Sequence, residues 1–286
     1  MKVSTHHLPE GISLTVRAPM EGSLAPALIM CHGFCGIKEL LLPAYADTFA
    51  RAGFVTITFD YRGFGDSDGE RGRLVPAMQI EDICTVIAWA RSLPNVDGAR
   101  IGLWGTSLGA CHVFGAASLD GRVRCVISQL GFADGEAVVT GHMNSDEKRA
   151  FVASLEKMEE RKHSTGKEMF VGVTRVLNDA ESKAFFEENR HVHPKLDIKI
   201  PFLTIRETVN YKPAMAAGQV TCPTLVVTAG RDCVNPPAQG RALFDAVAAS
   251  EKTLHEEPEA RHYDMYGGEY FDRVSLIQVE WLKAHL

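Results

Sequence analysis

Residues 101–118 read IGLWGTSLGACHVFGAAS. The stretch opens as an apolar, strand-like run, passes Gly105-Thr106-Ser107-Leu108-Gly109, and continues as a helix of small residues. One hydroxyl thus stands between two glycines where a strand becomes a helix. A turn this sharp puts its central residue in a strained backbone conformation. Side chains two positions to either side would collide, so both positions require glycine. The hydroxyl is then exposed above the sheet, at the start of a helix. Free N–H groups and the positive end of the helix dipole favour negative charge developing there. The stretch therefore predicts a strand–turn–helix unit that presents Ser107 as a nucleophile.

The same alternation extends outward in both directions. PALIMCHGF, VTITFDYRG, VRCVISQLG, CPTLVVTAGRD and KTLHEEP read as strands. LPAYADTFARAGF, PAMQIEDICTVIAWARSL and EYFDRVSLIQVEWLKAHL read as helices between or after them. Strands alternating with helices imply an α/β chain whose mostly parallel central sheet is flanked by helices. At the N-terminus, Lys2–His7 and Gly11–Pro19 are expected to pair as a hairpin. The rhythm breaks at about residue 133. Residues 133–213 are polar and charged, carry helical periodicity in EKRAFVASLEKMEERK and ESKAFFEENR, and hold no evident sheet strand. The expected organisation is a core domain of residues 1–132 and 214–286, interrupted by a helical cap or lid at 133–213.

Bulk properties exclude several roles. A chain of 286 residues with 45% hydrophobic content can bury a full core. A net charge of −6 with no basic run argues against nucleic-acid binding. No apolar stretch approaches the ~20 residues that span a bilayer, and the first residues do not read as a signal peptide. The seven cysteines form no CxxC pair. They read as reduced thiols in a cytoplasmic protein, neither a disulfide framework nor a zinc site.

A serine hydroxyl is a weak nucleophile and needs a base. His262, in EARHYDMYGGE, follows the last expected strand and suits that role. Its rivals fit less well: His255 lies within that strand, His285 at the terminus, and His142, His163, His191 and His193 in the insertion. The base needs a carboxylate to hold its tautomer. Asp232 directly ends the apolar run TLVVTAGRD, so its side chain should emerge at the same sheet edge as Ser107. Asp134 is the alternative acid, although an N-cap at the start of the insertion would explain it as well. The glycine-rich DYRGFGDSDGE lacks a following Gly-Lys-Ser/Thr and reads as a tight loop, which leaves Ser67 a poor second nucleophile. Arg175, Arg190, Arg206 and the histidines of the insertion read as solvated helix faces.

Taken together, CHGF, DYRGFGDSDG, GTSLG, GRDCVNPP and RHYDMYGG resemble the α/β-hydrolase superfamily over nearly the whole chain outside the insertion. The order Ser107, Asp232, His262 matches the order of that superfamily. The last two loops are similar to those of the serine branch near the dienelactone-hydrolase-like and prolyl-dipeptidase-like esterases. Dienelactone hydrolase itself carries cysteine at the elbow, and haloalkane dehalogenases and epoxide hydrolases carry aspartate. The resemblance implies oxyanion donors at the backbone N–H groups of Phe34 and Leu108, with His32 a structural residue of its loop. It also implies a cap after the sixth strand, and no metal or organic cofactor. The expected activity is a serine hydrolase acting on an ester, lactone or thioester of a small molecule. Diketone carbon–carbon hydrolysis, amide cleavage and an idle binding protein on the same fold are the alternatives. A small-molecule substrate is the expected partner, with no nucleic acid and no membrane, and a homodimer is left open.

Overall fold

The computed structural model describes residues 1–19 and 24–286. The expected hairpin forms from β1 (Lys2–His7) and β2 (Ser13–Ala18), which pair antiparallel. The main sequence then runs β3 (Ala25–Cys31), α1 (Leu42–Arg51), β4 (Val55–Phe59), α2 (Pro76–Ala90), β5 (Val96–Thr106), α3 (Leu108–Leu119) and β6 (Val126–Gln129). The sheet order is β1-β2-β4-β3-β5-β6, continued by β9 (Thr224–Ala229) and β10 (Lys252–Glu257). From β4 onward every pairing is parallel.

Both faces of this sheet are covered, and strand alternation decides which residue faces which layer. In β3, Leu28 and Met30 join the cluster of Tyr45 and Phe49 from α1 and Leu282 from α10 (Gly268–His285). Their neighbours Ala27, Ile29 and Cys31 join Ile83 and Val86 from α2 and Val113 from α3 on the other side. Leu243 of α9 (Pro237–Ala246) completes that second layer. A strand buried on both faces must be apolar throughout, which is why PALIMC carries no alternation of polarity.

Between β6 and β9 the chain forms α4 (Gly135–Thr140), α5 (Ser145–Thr165), β7 (Phe170–Gly172), α6 (Ala180–Asn189), β8 (Lys199–Pro201), α7 (Thr204–Asn210) and α8 (Pro213–Ala217). The helical periodicities fall within α5 and α6. The antiparallel β7–β8 pair was not expected, because three-residue strands in polar sequence are too short to show a period. Asn144 caps α5 in a reciprocal capping box with Glu147. Only Leu155 of its 21 residues is buried, so α5 lies largely in solvent.

Parallel strands send their carboxyl ends to one edge. There the chain turns one way from β3 to β4 and the other way to β5, leaving a crevice between the ends of β3 and β5. Phe34 follows β3 and Ser107 follows β5, so both border this switch point. No helix among the described residues is long and apolar enough to cross a membrane.

Candidate active site

Ser107 has φ 54° and ψ −122°, in the left-handed region where a residue with a Cβ is strained. The flanking glycines are sterically required. A Cβ on Gly105 would drive into the carbonyl of Gly109, and a Cβ on Gly109 into the carbonyls of Cys31 and His32. The loop after β3 also presses on Ser107: a Cβ on Gly33 would meet Ser107 Cβ at 2.9 Å. Phe34, the next residue, and Leu108, the first residue of α3, each keep a backbone N–H with no acceptor among the described residues. For Leu108 this follows from helix geometry, since the first turn has no preceding carbonyl to pair with.

His262 follows β10 and is 2% exposed. Its Nδ1 lies 2.7 Å from Asp232 Oδ2. The ring donates from Nδ1 to the carboxylate, which leaves Nε2 as the acceptor. The other carboxylate oxygen accepts the backbone N–H groups of Val234 and Asn235, both at 2.8 Å. Asp232 is thus fixed by its own loop and aimed at the imidazole. Among the described residues, Ser107 Oγ makes its hydrogen bond with Asn235 Nδ2 at 3.4 Å, not with His262.

The alternative acid is occupied elsewhere. Asp134 caps α4 through the Ala137 N–H at 3.1 Å and pairs with Lys212 at 2.6 Å. Burial pushes its carboxyl up, but Lys212 and the capped helix outweigh this and hold it below the usual range. His32 is buried, and its Nδ1 donates to the Gly33 carbonyl at 3.0 Å. Burial lowers its pKa and keeps it neutral, which suits a structural residue of the loop. Ser67 is used up as well: its Oγ accepts from Ser13 N at 2.8 Å and donates to Asp60 O at 2.6 Å.

Two cavities meet at Ser107. A small one of about 40 Å³ is bordered by Thr106, Ser107, His262 and Tyr263. A larger one of about 380 Å³ is bordered by Ser107, Leu108, Phe132 and Asn235 from below. Val139, Phe151, Phe202 and Ile205 line it from the 133–213 segment. Phe34, Leu177 and Val234 border both. Helix α6 touches the two loops that carry Asp232 and His262. Glu181 accepts from Cys233 Sγ at 3.2 Å and from Tyr263 N at 3.1 Å. Phe185 stacks on Tyr263 with ring centres 4.2 Å apart. Of the arginines and histidines expected on solvated helix faces of the insertion, Arg175 and His142 instead border the larger cavity, with Asn178, Asp179 and Thr208. Arg190 and Arg206 are ion-paired with Glu187 and Glu156 on helix faces, and His163 pairs with Glu159.

Glu39, Asp60 and Asp66 lie close enough together to hold a cation. That position is taken by a side chain of the chain itself. Lys38 Nζ reaches Asp60 at 2.6 Å and Asp66 and Glu39 at 2.8 Å. Burial works against the charge on Lys38, but the three carboxylates outweigh it and hold the ammonium above its usual range. The cluster closes the glycine-rich loop after β4.

The fold and this edge define an α/β hydrolase. The family model for serine aminopeptidase, S33, matches residues 23–266, and the chain belongs to that family. Over 286 residues it is 60% identical to a 31.7 kDa protein in the traX-finO intergenic region of Escherichia coli, with all of both chains covered. It is 29% identical to the quorum-quenching protein AidA of Acinetobacter baumannii, covering 90% of this chain and 86% of the relative. The thiohydrolase aneE of Aspergillus aculeatus is 28% identical, over 96% and 90% of the two chains. In structure the chain resembles DcsB, solved in complex with its substrate analogue, with TM-score 0.85, 24% identity, and 100% and 99% of the chains covered.

Proposed function

We propose that the chain is a serine hydrolase that cleaves an ester, lactone or thioester of a small to medium substrate through an acyl-enzyme on Ser107. One juxtaposition carries this reading. A strained serine lines a cavity with Phe34 and Leu108, whose N–H groups have no acceptor among the described residues, and another with a histidine whose Nδ1 is held by Asp232. His262 Nε2 takes the proton of Ser107 Oγ as Oγ adds to the substrate carbonyl. The N–H groups of Phe34 and Leu108 hold the resulting oxyanion, and Asp232 stabilises the imidazolium. Collapse breaks the bond to the leaving group, which receives the proton from His262. Water then repeats the cycle and frees the acid.

In this reading residues 133–213 form a cap over the core, and the larger cavity beneath it takes the acyl group. The small cavity beside His262 admits the leaving group and the water. The relative named as a thiohydrolase supports an acyl bond of this kind, with a thioester among its members. All seven cysteines are free, which supports a reducing compartment such as the cytoplasm. Ser107→Ala tests the reading. Its kcat on an activated ester should fall by about 10³–10⁶ with the fold intact by circular dichroism. Activity near that of the parent would refute it.

A further inference from the structure

Asn235 is not part of the Ser107–His262–Asp232 arrangement, yet it touches two of its members. It is 6% exposed and sits three residues after Asp232. Its backbone N–H donates to Asp232 Oδ1 at 2.8 Å. Its side-chain Nδ2 donates to the Leu130 carbonyl at 2.7 Å, and the same nitrogen lies 3.4 Å from Ser107 Oγ. The amide orientation is settled by its partners. A flipped amide would set Oδ1 against the Leu130 carbonyl, oxygen against oxygen. Leu130 itself is held, with φ 62° and its N–H on the Val227 carbonyl at 2.8 Å. One amide hydrogen is therefore spent on Leu130, and the second is free to point at the nucleophile.

We propose that Asn235 is a catalytic hydrogen-bond donor to Ser107 Oγ. This rests on the serine-hydrolase reading. A hydroxyl oxygen has two lone pairs and one hydrogen. During attack the hydrogen goes to His262 Nε2 and one lone pair forms the bond to the acyl carbon. The second lone pair keeps the Asn235 donor. During deacylation the bond between Oγ and the acyl carbon breaks, its electron pair returns to Oγ, and His262 returns the proton. Negative charge gathers on Oγ in both half-reactions, and a donor fixed beforehand by Leu130 stabilises it at no further cost of reorganisation. Asn235 thereby ties the acid loop to the nucleophile, and nothing in the Asp232–His262 contact depends on its side chain.

Two variants test this, read by steady-state kinetics and by the rate at which a fluorophosphonate labels Ser107. Asn235→Ala should lower kcat about 10- to 100-fold and slow labelling to a similar degree. KM should stay within about twofold, and the acidic limb of the kcat/KM profile should not move, because the Asp232–His262 pair is intact. Asn235→Asp keeps the shape but replaces the donor with an acceptor that competes with His262 for the Ser107 proton. It should be the more damaged of the two, with its acidic limb moved to higher pH by the added negative charge. It also serves as the decisive variant if the alanine protein does not fold. Labelling of Ser107 at the parent's rate in either folded variant would overturn the role of Asn235 and leave the serine mechanism standing. A fall in kcat of the alanine variant with a displaced acidic limb would also overturn it, since that marks a disturbed His262. No labelling of Ser107 in the unaltered protein would overturn both.

Discussion

Two adjacent parallel strands, β6 and β9, each end in a loop that carries an aspartate, and the two loops do opposite things with it. After β9 the carboxylate is 5% exposed, takes two N–H groups from its own turn, and points at His262. After β6 the carboxylate stands a few residues farther out, caps α4, and meets Lys212 near the surface. The difference is where the strand stops relative to the aspartate. Asp232 lies three residues beyond β9, inside a tight turn closed by its own N–H bond to the Ala229 carbonyl at 3.2 Å. Asp134 lies five residues beyond β6, after Leu130 at φ 62°, where its carboxylate is taken up by the first turn of α4 and by Lys212. Being near a strand end is therefore not enough; the turn has to return the side chain to the edge.

The sharpest way to break this comparison is to neutralise each carboxylate in turn. Asp232→Asn leaves the shape but no longer fixes the productive tautomer or the imidazolium. It should cost about 10⁴ in kcat with little change in KM. Asp134→Asn should cost at most about tenfold in kcat. Asparagine still caps a helix, so only the exposed ion pair is lost, and the melting temperature should fall by a few degrees at most. Parallel kcat and thermal melts of the two purified variants decide the matter. If the Asp134 variant is the crippled one, the acid has been misassigned.

A smaller effect concerns how the 133–213 segment is fastened down. Lys195 reaches Asp66 at 2.6 Å, and Arg73 reaches Glu168 at 2.6 Å, each pair joining the segment to the core. Lys195, with Lys38, holds the Asp66 carboxyl well below its usual range, and Arg73, with Lys162, lowers that of Glu168. A carboxylate with a depressed folded pKa contributes fully above its unfolded value, near pH 4, and loses that contribution as pH falls through the folded one. The protection factors of β7 and β8, referred to the intrinsic exchange rate at each pH, should therefore fall on acidification below about pH 4 before those of β5 do. Simultaneous loss of protection would show that these pairs do not hold the segment.

What the sequence made legible was whatever a local backbone pattern enforces. Ser107 could be found because its turn tolerates only glycine at 105 and 109. Asp232 could be found because it ends an apolar run at the sheet edge, and His262 because it follows the last expected strand, KTLHEEP. Asn235 carries no such signal. Its partners Leu130 and Ser107 lie 105 and 128 residues away in the chain, and Asn-Pro-Pro reads as an ordinary turn. The two cavities were equally hidden, because they arise where residues of the 133–213 segment, α6 among them, pack over loops from five strands. The β7–β8 pair escaped for want of length.

The central claim is that Ser107 is the nucleophile. Incubation with a fluorophosphonate followed by peptide-mapping mass spectrometry addresses it without assuming a substrate. A single adduct on the peptide containing Ser107, lost in His262→Ala, is the predicted result. An unmodified protein, or an adduct on another serine such as Ser67, would contradict it.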